Sequence, residues 1–149
     1  MRQRLIAGLS RIVAGIRSTP PHRGTAEHRF PADEPLADLP LTILDTETTG
    51  LNVTRDRVVS VGALQYRRGD PEPDPPLDLL VHPGIPIPKR ATAIHGIGNG
   101  KVAYAPPFAL LWPTIQASWQ RRALLGHNIA FDLALLRHEA ERARMPFSP

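Results

Sequence analysis

Leu41-Thr42-Ile43-Leu44-Asp45-Thr46-Glu47-Thr48-Thr49-Gly50-Leu51 ends an apolar run in two carboxylates two residues apart. The run Leu41 to Leu44 reads as a buried strand, a setting in which Asp is depleted and an unpaired charge is costly. A compensating partner is therefore required. Side chains at i and i+2 of a strand share a face with Cα atoms about 7 Å apart, so Asp45 and Glu47 can reach divalent cations held about 3.5–4 Å apart. Hard, oxygen-only ligands of this kind suit Mg²⁺ or Mn²⁺.

A chain of 149 residues is long enough for one core and too short for two. The absence of cysteine excludes a disulfide scaffold, a thiolate zinc site and a cysteine nucleophile, and fits a reducing, cytoplasmic setting. The formal charge of +4, carried mainly by arginine, favours polyanionic partners in a nonspecific way. No run approaches the length of a transmembrane helix.

Residues 1–38 read as a separate segment. The first 26 contain no acid before Glu27, and Leu5, Ile6, Leu9, Ile12, Val13 and Ile16 recur at helical spacing opposite Arg2, Arg4, Arg11 and Arg17. This is the pattern of a short basic amphipathic helix, stopped by Pro20-Pro21. Such a helix suits a membrane surface, a docking partner or an organellar import signal; the plainer reading, which we favour, is a solvated extension. Pro20, Pro21, Pro31, Pro35 and Pro40 among polar residues mark a linker, and the folded domain is expected over 39–149.

Downstream, Val58 to Tyr66 reads as a long second strand and Leu77 to His82 as a third, the short connections making an antiparallel meander. Residues 107–120 carry an apolar helical pattern in which Pro113 predicts a kink or a late start. Ala123-Leu124-Leu125 reads as a short buried strand leading into Gly126-His127-Asn128. Ile129, Leu133, Leu136, Ala140 and Ala143 then mark one face of a helix, which leaves Glu139 and Glu141 among basic residues on its exposed side. Asp132 falls in the first turn, where an acid complements the helix dipole, and Asn128 is placed to cap it. Gly96-Ile97-Gly98-Asn99-Gly100-Lys101 is not a phosphate loop, because His95 stands where the first glycine is required and Val102 where Ser or Thr is.

With these segments placed, Leu44 to Leu51 resembles the first exonuclease motif of the DnaQ-like, or DEDD, 3′–5′ exonucleases, the family of the DNA polymerase III epsilon subunit. Gly126-His127-Asn128-Ile129-Ala130-Phe131-Asp132 is similar to the second motif, and Ala93-Ile94-His95-Gly96-Ile97 to the segment between them. The resemblance covers about residues 40–145. It implies an α/β, ribonuclease-H-like mixed sheet with flanking helices, and hydrolysis of the phosphodiester at a nucleic-acid 3′ end by two divalent cations. By the same resemblance Asp45 bridges both ions, Glu47 holds the first and Asp132 acts on the second. Thr48, Thr49 and Gly50 approach the terminal nucleotide, Gly50 because a backbone without Cβ permits close contact, and His95, His127 and Asn128 line its pocket.

The family places a further strand, helices and a third motif, with its general base and fourth carboxylate, beyond the helix that ends here near Arg144. The chain stops at Pro149, so the expectation is the first two-thirds of such a domain with its C-terminal part missing. Two functions remain open: a 3′–5′ exonuclease of the DNA-proofreading type acting on single-stranded 3′ ends, with a DNA polymerase subunit as partner, or a truncated, non-catalytic nucleic-acid-binding or polymerase-interaction remnant.

Overall fold

The computed structural model describes residues 33–36, 38–69 and 75–149; the basic amphipathic segment and most of the proline-rich linker expected from the sequence lie outside them. Strand β1 (Leu41–Thr48) is the central organiser. Leu41, Thr42, Ile43 and Leu44 are all buried, which is the signature of a strand covered on both faces. It pairs antiparallel with β2 (Val58–Tyr66), from Leu41 opposite Tyr66 to Thr48 opposite Val58, with an irregularity between Glu47 and Thr48. β2 pairs antiparallel with β3 (Leu77–Leu80). The third strand thus ends before His82, which makes an isolated bridge to Pro107; Pro83 has no N–H to continue a ladder.

Four helices follow β3: α1 (Lys89–His95), α2 (Asn99–Val102), α3 (Phe108–Ala117) and, after β4 (Ala123–Leu125), α4 (Ile129–Arg142). The long path through α1 to α3 lets β4 return parallel to β1, with Leu41, Thr42 and Ile43 opposite Ala123, Leu124 and Leu125. The sheet order is β3-β2-β1-β4, a mixed sheet with flanking helices. The three-stranded meander is present as expected, and β4 makes the sheet mixed. Of the kink or late start expected at Pro113, the late start does not occur: α3 begins at Phe108 and carries Pro113 inside it. α1 and α2, too short to show periodicity, carry no helical signal in the sequence; α2 is held instead by Asn99, whose side chain bonds both the Ile87 amide (2.8 Å) and carbonyl (3.2 Å).

The main core joins Leu44, Val58, Val61 and Ala63 to Phe108, Trp112, Ile115 and Trp119 of the α3 region and to Leu135, Leu136 and Ala140 of α4. A smaller cluster of Val59, Ile87, Ala91, Ile97 and Val102 seats α1 and α2. Residues 145–149 close over the tryptophans. The Trp112 indole donates to the Pro146 carbonyl (2.9 Å), that of Trp119 to the Ser148 carbonyl (3.3 Å), and Phe147 stacks on Trp112 at 5.7 Å and has the Arg137 guanidinium 5.2 Å from its ring centre.

Candidate active site

Pairing between β1 and β4 stops at Ile43 opposite Leu125, so Asp45 emerges just past the end of β4, where the chain turns at Gly126. A Cβ on Gly126 would lie 2.6 Å from the Leu44 carbonyl oxygen, and only glycine lets the turn pass this close to β1. That close passage brings His127 to Asp45 and starts α4 beside the strand. Asn128 holds the N-cap position in the left-handed region, φ 55°, which Asn tolerates better than most residues. Its side chain makes no capping bond, contrary to the role expected of it.

One helical turn later Asp132 is buried, with 4 % exposure, and its Oδ1 accepts two hydrogen bonds from Thr46, from the backbone N–H (3.0 Å) and from the hydroxyl (2.6 Å). Thr46 is the residue between the two acids of β1, and sequence patterning gave it no role. Burial raises the pKa of Asp132, the Thr46 hydroxyl opposes that rise, and the nearby charge of Asp45 adds to it. Asp45 is an exposed residue of β1, unlike Asp132; partial desolvation of its carboxyl by the surrounding protein raises its pKa too, against the Thr46 amide and the charge of His127, which lower it. The strand and the helix therefore bring Asp45 and Asp132 within electrostatic reach of each other. The strand pleat gives Glu47 the same face as Asp45. Glu47 lines an open cleft of about 690 Å³ together with Thr48, Thr49, Gly50, His95 and Phe131. Among the described residues no three His, Cys, Asp or Glu side chains are grouped closely enough to hold a metal ion as they stand.

One wall of the cleft is the turn between β1 and β2. Thr49 N–H donates to the Arg57 carbonyl (2.9 Å), Arg57 N–H to the Thr49 hydroxyl (3.0 Å), and that hydroxyl to Asp56 Oδ1 (2.9 Å). Asn52 N–H donates to Asp56 Oδ2 (2.8 Å), and Asn52 Oδ1 accepts from the amides of Thr54 and Arg55, both at 3.1 Å. The Thr48 hydroxyl turns back to the Gly50 carbonyl (2.5 Å). Both threonine hydroxyls are thus engaged in shaping the turn. Gly50 has its own local reason: a Cβ there would lie 2.5 Å from Asp56 Oδ2. The need for glycine arises from the Asp56 carboxylate folded over it, a contact that the sequence motif does not reveal.

His95 lines the cleft, half-buried, with both ring nitrogens engaged. Nδ1 accepts from the Ile97 amide (3.0 Å), which leaves Nε2–H to donate to the Thr48 carbonyl (3.2 Å). Burial lowers its pKa, and the bond to Thr48 opposes that shift. His95 therefore ties α1 to the end of β1. Asp45, Asp132, His127 and Asn128 are not among the residues that line the cleft; Asp132 is tied to its wall through Thr46, and His127 stands by Asp45. Arg90 and Ile94 of α1 complete the cleft wall.

Glu139, expected on the exposed side of α4, is 2 % exposed. The buried residues Asp132, Leu135, Leu136, Glu139 and Ala140 form one helical stripe, so the polar and apolar members of this face alternate by turn. Arg57 makes a two-pronged ion pair with Glu139, Nε to Oε1 at 2.6 Å and Nη2 to Oε2 at 2.9 Å, and the Val58 amide donates to Oε1 at 3.2 Å. These bonds satisfy a carboxylate that burial would otherwise penalise.

The model of the RNase_T family, described as exonuclease, matches residues 42–148. The chain is 38% identical over 109 residues to a DNA polymerase III subunit epsilon-like protein of Rhodobacter capsulatus, covering 72% of this chain and 16% of that protein. It is 27% identical over 115 residues to a PolC-type DNA polymerase III of Streptococcus suis, covering 77% of this chain and 8% of that protein. The chain therefore spans a small part of the length of these curated relatives. Among solved structures it is similar to exonuclease X in complex with 5′ overhanging duplex DNA, with 32% identity, a TM-score of 0.54, and coverage of 64% of this chain and 53% of that one. An exonuclease I in complex with an SSB C-terminal segment shares the fold, at 19% identity and a TM-score of 0.65 over 72% of this chain and 25% of that one. No helix among the described residues is long and apolar enough to cross a membrane.

Proposed function

We propose, from the premise that this chain belongs to the RNase_T exonuclease family, that it hydrolyses the phosphodiester bond at single-stranded nucleic-acid 3′ ends, with DNA preferred, by a two-cation mechanism. The observation that carries this reading is the pairing of Asp45 with Asp132. Two hydrogen bonds from Thr46 hold the buried Asp132 carboxyl against β1 next to Asp45, whose charge raises its pKa further, and Thr46 itself lines the cleft. Such a pair fits divalent cations, whose charge offsets both the lost hydration and the mutual repulsion.

Asp45, Glu47 and Asp132 would hold Mg²⁺ or Mn²⁺. When bound, the ions supply polarisation of the phosphoryl oxygen, activation of water and neutralisation of the leaving oxygen. The chain's own residues supply orientation. Thr46 fixes Asp132 Oδ1 with two donors and so aims the remaining oxygen. The Thr48 to Asn52 turn and α1 form the walls between which a 3′-terminal nucleotide fits. Arg90 supplies positive charge to a wall that otherwise carries Glu47 and Asp56, as a polyanion entering beside acids requires. The names of the relatives suggest a DNA polymerase partner.

A second reading, a nucleic-acid-binding module without turnover, is favoured by the engagement of both His95 nitrogens, which leaves that residue no free site for a proton from water. One assay separates the two. A 3′-labelled single-stranded oligonucleotide is incubated with Mg²⁺ or Mn²⁺, with EDTA and Asp45→Ala as controls. Metal-dependent release of labelled mononucleotide that Asp45→Ala abolishes is the expected result. Binding without release supports the second reading, and release undiminished in Asp45→Ala overturns the site.

A further inference from the structure

Helix α4 carries two buried acids on one face. Asp132 belongs to the carboxylate pair, and Glu139, seven positions and two turns further on, has no place in the chemistry proposed above. Its environment is nevertheless elaborate. Glu139 takes both prongs of the Arg57 guanidinium and the Val58 amide, and Arg142, one turn on, lies 3.5 Å from its Oε1. A buried ion pair of this kind adds little stability over an apolar replacement, so its value lies in where it puts the chain.

What it positions is specific. Arg57 is the residue that closes the β1–β2 turn, bonding Thr49 through both its N–H and its carbonyl. Arg142 also donates from Nη2 to the Thr54 carbonyl (2.5 Å) in the middle of the same turn. The helix thus grips the turn at two points, and Thr49, Gly50, Leu51, Asn52 and Asp56 of that turn all line the cleft. Leu51 in particular is held out at 86 % exposure, an apolar side chain presented to the cleft mouth with no packing of its own to fix it. Its location is set by the backbone on which it sits.

We propose that Glu139, through Arg57 and Arg142, is a positioning residue that holds the Thr49–Asp56 turn in place against the substrate strand, so that affinity for a single-stranded 3′ end depends on it while cation binding at Asp45 and Asp132 does not. The proposal rests on the functional reading above. Asp132 is oriented by Thr46 and not by this network, which is why the two properties separate.

The test compares the parent chain with Glu139→Gln, which keeps shape and an acceptor for Val58 but removes the charge, with Arg57→Lys, which removes the fork, and with the milder Arg142→Ala, which releases the exposed grip on Thr54 and the longer contact with Glu139 but leaves the Arg57 fork intact. Three quantities are read: Mn²⁺ affinity by calorimetry, affinity for a fluorescent, phosphorothioate-ended single-stranded oligonucleotide by anisotropy, and amide hydrogen exchange at Asn52, Arg55 and Asp56. In all three variants exchange at these amides should accelerate. Oligonucleotide affinity should fall about 10- to 100-fold in Glu139→Gln and Arg57→Lys, the scale on which misplacement of a binding element acts, and less in Arg142→Ala. Mn²⁺ affinity should stay at the parent value. Unchanged exchange, unchanged oligonucleotide affinity, or Mn²⁺ affinity that falls in parallel with it would each overturn the positioning role. A parent chain that binds no oligonucleotide overturns the functional reading itself, a failure visible before any variant is made.

Discussion

The β1–β2 turn, which lines the cleft, and the carboxylate pair, which lies beside it, are the two sides of the site, and they are built on opposite principles. In the β1–β2 turn the polar groups of Thr49, Asn52, Asp56 and Arg57 bond one another, and Glu139 anchors the whole from α4. At the carboxylate pair, like charges are held near each other in surroundings that raise both pKa values. The turn is satisfied by the protein alone, whereas at the pair the bonds from Thr46 leave the repulsion between the two carboxyls unanswered. Substitutions on the two sides should therefore move stability in opposite directions: loosening the turn costs it, and discharging the pair adds to it.

The largest effect expected is on the satisfied side. Glu139→Ala leaves the Arg57 fork and the Val58 amide without their acceptor, and should cost ~3 kcal/mol of unfolding free energy by denaturant titration, the low end for a broken buried pair because Arg57 keeps some solvent contact. A loss below ~1 kcal/mol would show that water replaces the carboxylate freely.

Gly50→Ala comes next. The added methyl meets Asp56 Oδ2 at 2.5 Å, so the turn must shift, at about 1–3 kcal/mol, and oligonucleotide affinity should drop while Mn²⁺ affinity holds. Retained affinity would mean that Asp56 swings away at no consequence to the cleft.

Thr46→Val probes the join between the sides. It removes one of two donors to Asp132 and keeps the other, so a loss of ~1 kcal/mol is expected together with weaker Mn²⁺ binding. Unaltered metal affinity would leave the Thr46 hydroxyl a purely structural donor.

On the unsatisfied side the sign reverses. A carboxylate whose folded pKa lies above its unfolded value favours folding most at low pH, and that contribution is lost as pH rises from the ordinary carboxylate value through the raised one. In EDTA at neutral pH, Asp132→Asn should therefore raise the thermal midpoint by a few degrees, since its amide oxygen can still accept from Thr46, and should flatten the dependence of stability on pH across that acidic window. Adding Mn²⁺ should stabilise the parent chain and not the variant. A lower midpoint in EDTA would show that Asp132 is held mainly by its bonds to Thr46.

Much of this arrangement was legible in the sequence, and for stated reasons. β1 and β2 are dense in apolar and β-branched residues, and the motif that runs from Leu44 to Leu51 lies at the turn where the cleft opens. What escaped was non-local. Glu139 looks like a solvated acid beside basic neighbours because its partner, Arg57, is 82 positions away, and no periodicity encodes such a pair. Thr46 was hidden by its own strand for the same reason, its acceptor lying 86 positions on. Helices α1 and α2 stand on a small cluster under Val59 and on the Asn99 side chain, neither of which leaves a repeating pattern.

The segment that covers α3 and α4 has an optical consequence. The chain has two tryptophans, and both indoles are buried and donate to carbonyls within residues 146–148. Intrinsic emission should thus report a single event, the lifting of that segment from the aromatic cluster. A red shift with retained circular dichroism would reveal its release before the sheet itself melts, with no label introduced.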